Sequence, residues 1–200
     1  MPNISAPLGR RERNKQEKLE RIIAAASELF AQHGVDDVTT QQIADAADIG
    51  AGTLFLYAKT KGELLLLVQN AHYAEALERG RAAASREDDV VDALMAVARE
   101  VVKCNRVQVE NGRTYLREIT FGDPTEQHHA AALAIVAETE TTITEIIASR
   151  SAASADDSVV LARIVSSVVY HCMAAAAPTD ATTDDVLDEI RRQLTVLLAR

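Results

Sequence analysis

The chain has 200 residues, 48% of them apolar and only 4% aromatic, with no tryptophan. That apolar share supports a packed core built from Ala, Leu, Ile and Val, and it excludes disorder as the default state. The formal net charge of −9 argues against a protein that is basic all over.

The charge is unevenly spread. Residues 1–62 hold eight Lys/Arg and eight Asp/Glu, so residues 63–200, with thirteen against twenty-two, carry the whole excess. Within the neutral part, residues 10–21 hold six basic and three acidic side chains. An acidic body with a locally basic front end fits a protein that meets phosphates at one end. The prolines are Pro2, Pro7, Pro124 and Pro178, so nothing breaks a helix between Leu8 and Asp123. With abundant Ala, Glu, Arg and Leu, this predicts an all-α fold. Cys104 and Cys172 lack metal-ligand spacing, which fits a reducing compartment. Met1–Leu8 has no signal-peptide pattern. The longest apolar runs, near Leu64–Val68 and Cys172–Ala177, are too short to span a bilayer. A cytoplasmic protein without a membrane segment is expected.

In chain order, residues 1–9 read as a disordered tail. Leu19, Ile22, Ile23, Ala26, Leu29 and Phe30 fall on one face of a helix ending near His33, and Gly34 suits its C-terminus. Thr39 and Gln42 form a capping box for a helix to about Ala47, with Ile43, Ala44 and Ala47 on its buried side. Asp48–Gly50 is a turn, and Ala51–Tyr57 a short helix. Thr60 with Glu63 caps a long helix to about Ala84. Helices follow over Asp88–Arg106, Asn111–Phe121, Thr125–Ser149, Ser158–Ala177 and Thr183–Ala199, about nine in all, with a link at Pro178-Thr179-Asp180. The β-branched run at 159–173 is apolar on more than one face, so its helix needs cover from its own core and from something else.

Two short helices around a glycine-containing turn read as a helix-turn-helix. The segment Gly52-Thr53-Leu54-Phe55-Leu56-Tyr57 is a poor helix former, so packing must hold it, through Leu54 against the Ile43 side. Ala51, Thr53, Phe55, Leu56 and Tyr57 then face partly outward, where a DNA major groove would employ them, with the Tyr57 hydroxyl reaching a phosphate. Gly52 either lets backbone approach the duplex or packs two helices tightly. Lys61 opposes the dipole of the helix it opens, a penalty that a phosphate would remove. Arg10, Arg11, Arg13 and Lys15 form a candidate arm for phosphates or the minor groove. Thr39, Thr40 and Gln41 open the first helix of the motif and are further candidates for backbone contact.

Over residues 10–66 the chain resembles the N-terminal domain of the TetR family of bacterial transcriptional regulators. The resemblance rests on Phe30, Gly34, Thr39, Ile43-Ala44, Ala47, Gly52-Thr53-Leu54-Phe55, Tyr57, Lys61 and Glu63-Leu64. Four positions depart from the pattern. Asp48 stands where the turn usually has Gly, Gly50 where a Ser or Thr cap is common, Ala58 where an aromatic closes the small core, and Leu56 where a polar base-reading side chain is frequent.

The resemblance implies a DNA-binding domain over 10–62 and a helical effector-binding and dimerisation domain over 63–200. It implies a homodimeric repressor on a palindromic DNA operator, released by a small organic effector, and no cofactor. For the dimer face the last two helices offer Val165, Val168, Val169, Leu187, Ile190, Leu194, Leu197 and Leu198, with core inside the single chain as the alternative for each. For the effector, residues combining apolar bulk with a polar tip are His72, Tyr73, Tyr115, Phe121, His129 and Tyr170, with Met95. The rival reading is an architectural or partner-docking DNA binder without an effector, which calls for a solid core. An enzyme is not expected: Glu126-Gln127-His128-His129 and His171-Cys172 are the only tempting clusters, and adjacent helical histidines diverge by about 100°. No metal site is expected.

Overall fold

The computed structural model describes residues 9–175 and 181–199. Of the tail expected at 1–9, residues 1–8 lie outside them, as does the Pro178–Asp180 link, and Gly9 stands at the N-cap of the first helix. Nine helices and no strand occur among the described residues: α1 Arg10–His33, α2 Thr40–Ala46, α3 Ala51–Leu54, α4 Lys61–Ala84, α5 Val90–Asn105, α6 Val109–Phe121, α7 Gln127–Arg150, α8 Ala155–Ala174 and α9 Thr183–Leu198.

Local chemistry sets these boundaries. Gly34, at φ 78°, ends α1 in a conformation that a side chain disfavours. Thr39 caps α2 with both bonds of the capping box to Gln42. At α4 the Thr60 hydroxyl accepts from Glu63 N, but the Glu63 carboxylate accepts from Lys59 N, one residue outside the expected box. Asp89, Gln108, Ser154 and Thr182 cap α5, α6, α8 and α9 through their side chains. The Ser154 cap explains why α8 begins at Ala155, three residues before the sequence pattern suggests. Helix α3 closes at Leu54 instead of Tyr57. Beyond it, Leu56 N donates to Thr53 O and Tyr57 N to Leu54 O, so the chain tightens into 3₁₀ turns that suit this poor helix former.

Two apolar clusters hold the molecule. The first packs α1, α2 and α3 on the start of α4, with Ile22, Phe30, Ile43 and Leu54 buried together. Ala58, at the position lacking the usual aromatic, is buried there too. This cluster does not stop at residue 62. It runs through Leu64, Leu65, Leu66 and Val68 to Tyr73, Tyr115 and Ala132, so α4, α6 and α7 share the core of the N-terminal head. The second fills the bundle of α4, α5, α7, α8 and α9. Gly80 lets α4 and α5 approach closely, since a Cβ there would sit 2.9 Å from the Val97 Cα.

Helix α8 has the two faces its sequence suggests. Ala162, Val165, Val169, Cys172 and Met173 are buried in the bundle, while Val159, Val160 and Ile164 are 44%, 56% and 40% exposed. Helix α8 is also long and apolar enough, by length and composition, to cross a membrane. That differs from the reading of short apolar runs, because Arg163, Ser166 and Ser167 interrupt the run and yet an 18-residue stretch of the helix keeps a mean hydropathy of 1.2. A bundle helix packed on one side meets the same test.

The apolar periods of α8 and α9 are, for the most part, intramolecular. Val165, Val169, Leu187, Ile190 and Leu194 are buried in the core of a single chain, and Val168, Leu197 and Leu198 pack half-buried against it. The first five thus take the alternative that an apolar period leaves open, core within the single chain.

Candidate functional site

The head presents a small, open tip. The Asp48 turn between α2 and α3 adopts φ 52°, the left-handed conformation a glycine would favour, and Asp is among the side chains that tolerate it. Arg21 Nη1 donates to the Asp48 carbonyl and carboxylate at 3.4 Å, fixing the turn against α1. Leu54 is the anchor of α3, buried as expected. Around it Phe55 is 46% and Leu56 83% exposed, and Thr53 and Ala51 are half-buried. A Cβ on Gly52 would meet nothing within 4 Å, so its alternative role in helix packing is removed.

Arg10, Arg11 and Arg13 occupy the first turns of α1, exposed, and Lys15 follows. Thr39 and Gln41 are exposed at the start of α2, and Thr40 is half-buried. Two side chains expected to reach phosphates have partners inside the chain. The Tyr57 hydroxyl donates to Lys15 O at 3.3 Å, and Lys61 Nζ donates to Asp36 O at 2.9 Å. Both are half-exposed and hold the head together.

In the body, a cavity of about 300 Å³ lies between α4, α5, α6, α7 and α8. Tyr73, Tyr115 and Tyr170, three of the expected effector contacts, line it. The Tyr73 and Tyr115 rings stack with centroids 4.3 Å apart. Burial pushes both phenols above their usual range, so they stay protonated and neutral. Tyr73 O accepts from Asn105 Nδ2 at 2.7 Å. The other four candidates do not line the cavity. His72 is exposed on α4, about 100° round from Tyr73. Met95 is buried in the bundle, likewise turned from the wall residue Leu94. Phe121, ending α6, is 81% exposed. His129 is buried and donates from Nε2 to Ile119 O at 3.0 Å. The sequence reading missed Ser166, Thr120 and Thr139 in the wall. Their signal was a hydroxyl on the inner stripe of an otherwise apolar helix, such as Ala162-Val165-Ser166-Val169.

Head and cavity are joined by named bonds. Tyr115 OH donates to Asn70 Oδ1 at 2.9 Å, Asn70 Nδ2 to His128 O at 3.0 Å, and His128 Nε2 to Tyr57 O at 2.7 Å. A carbonyl only accepts, so His128 carries its proton on Nε2. At the start of α6, buried Asn111 accepts from Val35 N at 2.7 Å and donates to Phe30 O at 2.8 Å. The histidines of the tempting 126–129 cluster are thus engaged in structure, and Glu126 pairs with Lys59. Burial pushes the Cys104 thiol up to about 11, leaving little thiolate at neutral pH. Among the described residues no group of three or more His, Cys, Asp or Glu could hold a metal ion.

Residues 22–68 match the family model for bacterial regulatory proteins of the tetR family. An uncharacterised HTH-type transcriptional regulator of Bacillus subtilis is 36% identical over 64 residues, which make up 32% of this chain and 22% of that protein. One from Haemophilus influenzae is 37% identical over 51 residues, 26% of this chain and 27% of that protein. The matched stretch therefore spans about a quarter of these curated relatives. Solved structures match almost throughout. A TetR-family transcriptional regulator of Streptomyces coelicolor has a TM-score of 0.66 at 22% identity, covering 92% of this chain and 95% of its own. Thermus thermophilus FadR, a TetR-family repressor in complex with lauroyl-CoA, has 0.65 at 25% identity, covering 90% and 93%.

Proposed function

We propose that this chain, a member of the tetR family of bacterial regulatory proteins, is a transcriptional repressor that binds a palindromic operator as a homodimer and releases it when a small organic molecule fills the cavity. The reading puts the protein in the cytoplasm with its DNA. The observation that carries it is the tip of α3, where Gly52, Phe55 and Leu56 stand open beside the basic first turns of α1. A solvated segment has no use for two exposed apolar side chains and a glycine within five residues. A major groove has one for each: close backbone approach at Gly52, and apolar contact with thymine methyls at Leu56 and Phe55. Thr53, Thr40, Gln41 and the cations of α1 would supply phosphate and base contacts.

Gly52→Ala separates this reading from a structural role. The new methyl meets nothing in the chain, and alanine is the better helix former by about 1 kcal/mol. Thermal stability is expected to hold or rise, while operator affinity falls by about tenfold, the cost of a lost or strained base contact. A variant that binds operator as tightly as the parent would remove α3 from the interface.

The dimer follows from the two-fold logic of a palindrome. With the inner faces of α8 and α9 used in the core, the exposed apolar side chains left for pairing are Val159, Val160 and Ile164 of α8 and, on α9, Val196, which is 77% exposed, with Val168, Leu197 and Leu198 half-buried. The cavity favours effector gating over the rival architectural reading, which calls for a solid core. Helix α6 contributes Tyr115, Leu116, Ile119 and Thr120 to the cavity wall and holds the head through Asn111. A ligand that moves this wall has two short routes to the head, α6 itself and the Tyr115–Asn70–His128–Tyr57 bonds, and it need shift the head equilibrium by only a few kcal/mol.

A further inference from the structure

We propose that the cavity takes an uncharged, mainly apolar molecule bearing one carbonyl or hydroxyl oxygen, which pairs with the Ser166 hydroxyl. This rests on the reading of the cavity as the effector site. The space, about 300 Å³, holds about ten water-sized groups. Among the described residues no Asp, Glu, Lys, Arg or His side chain lines it. An ion entering such a wall gives up its hydration and meets no counter-charge, so the site selects against either sign.

Of the wall hydroxyls one has no partner at all. Tyr115 OH donates to Asn70 Oδ1, and Tyr73 O accepts from the Asn105 amide, so each already has a partner. Thr120 Oγ1 and Tyr170 OH share a 2.6 Å bond that ties α6 to α8. Thr139 Oγ1 donates back to Ile135 O at 2.8 Å. Ser166 stands in the wall, and its Oγ, buried and without a partner, reaches a ligand oxygen by a turn about χ1 to another staggered rotamer. The next residue, Ser167, makes the usual helical bond back to Arg163 O at 2.8 Å, so the idle Ser166 hydroxyl is not a general property of this turn. A buried hydroxyl without a partner is unfavourable, and a ligand oxygen removes that penalty. The stacked faces of Tyr73 and Tyr115, neutral at any physiological pH, add apolar wall rather than charge.

The test is calorimetric titration of the full chain with n-octanol, octanoate, octylammonium and toluene, followed by titration of the operator complex with the same four. Octanol is expected to bind, with both ions about tenfold weaker or worse. Ser166→Ala, which improves helix propensity, is expected to weaken octanol about two- to tenfold and to leave toluene unchanged. Octanoate or octylammonium binding as tightly as octanol overturns the proposal. So does a Ser166→Ala variant that leaves octanol unaffected or weakens toluene equally, and so does a folded parent protein that binds none of the four. If an ion binds best and also dissociates the operator complex, the ligand class falls and the effector site stands. If octanol binds through Ser166 and the operator complex is unmoved, the ligand class stands and the effector reading falls.

Discussion

Ile164→Glu is expected to yield a folded monomer that binds the operator about a hundredfold or more weakly than the parent, the loss that follows when two linked contacts become one. Ile164 is 40% exposed on the outer face of α8, beside Val160 at 56%. A charge there meets solvent in the single chain, so the cost to folding should stay within about 0.5 kcal/mol. In a dimer face the same carboxylate is buried against its symmetry mate and disrupts pairing. Light scattering reads the mass, and fluorescence anisotropy with labelled operator reads the affinity. Leu194→Glu would not make this test, because Leu194 is wholly buried and a charge there would unfold the bundle. A confirmed Ile164→Glu monomer with undiminished affinity would end the dimeric reading. A variant that stays dimeric would move the interface off this face.

Asn111→Ala is expected to lower stability by about 2–4 kcal/mol, since it strands a buried backbone donor and deletes two bonds. The Val35 N–H would be left without its acceptor, whereas Phe30 O would keep its bond from Gly34 N. For a chain of this size the melting midpoint should fall by about 5–15 °C. The consequence for function is more specific. Asn111 is the side chain through which α6, a wall of the cavity, holds the α1–α2 connection. The surviving folded protein should bind operator but respond less to a cavity ligand. A variant with unchanged melting and unchanged ligand response would show that α6 does not hold the head through this residue.

The head was legible because its signals are local. Thr39 with Gln42 and Gly34 after His33 each specify a neighbour within a few residues, Ile43 and Leu54 lie on either side of a single turn of chain, and these features stand where the sequence puts them. The short extent of α3 was not legible, because helix and 3₁₀ turn share nearly the same residues and differ only in which carbonyl accepts. Asp48 was recognised as an odd turn residue, and its positive φ gives the reason.

The C-terminal helices were harder to read. An apolar period marks a buried side but not what buries it, so Ile190 and Leu194, packed in their own core, were indistinguishable from an interface. The cavity wall shows the same limit. Tyr73 and His72 are adjacent and each joins a ring to a polar tip, yet one helical step of about 100° puts one in the wall and the other at the exposed surface. Ser166 carried a faint signal, a lone hydroxyl on an apolar stripe. Its idle state depends on neighbours from four other helices, which no local pattern encodes.

The central claim is sequence-specific reading of DNA by a two-fold pair of heads. Its most direct test is selection of random duplex DNA by the purified protein, with sequencing of the bound fraction, repeated at raised salt. The account predicts recovery of a palindrome whose enrichment survives the higher salt. Enrichment without a motif, collapsing as salt displaces the phosphate contacts, would contradict it and leave only a non-specific DNA binder.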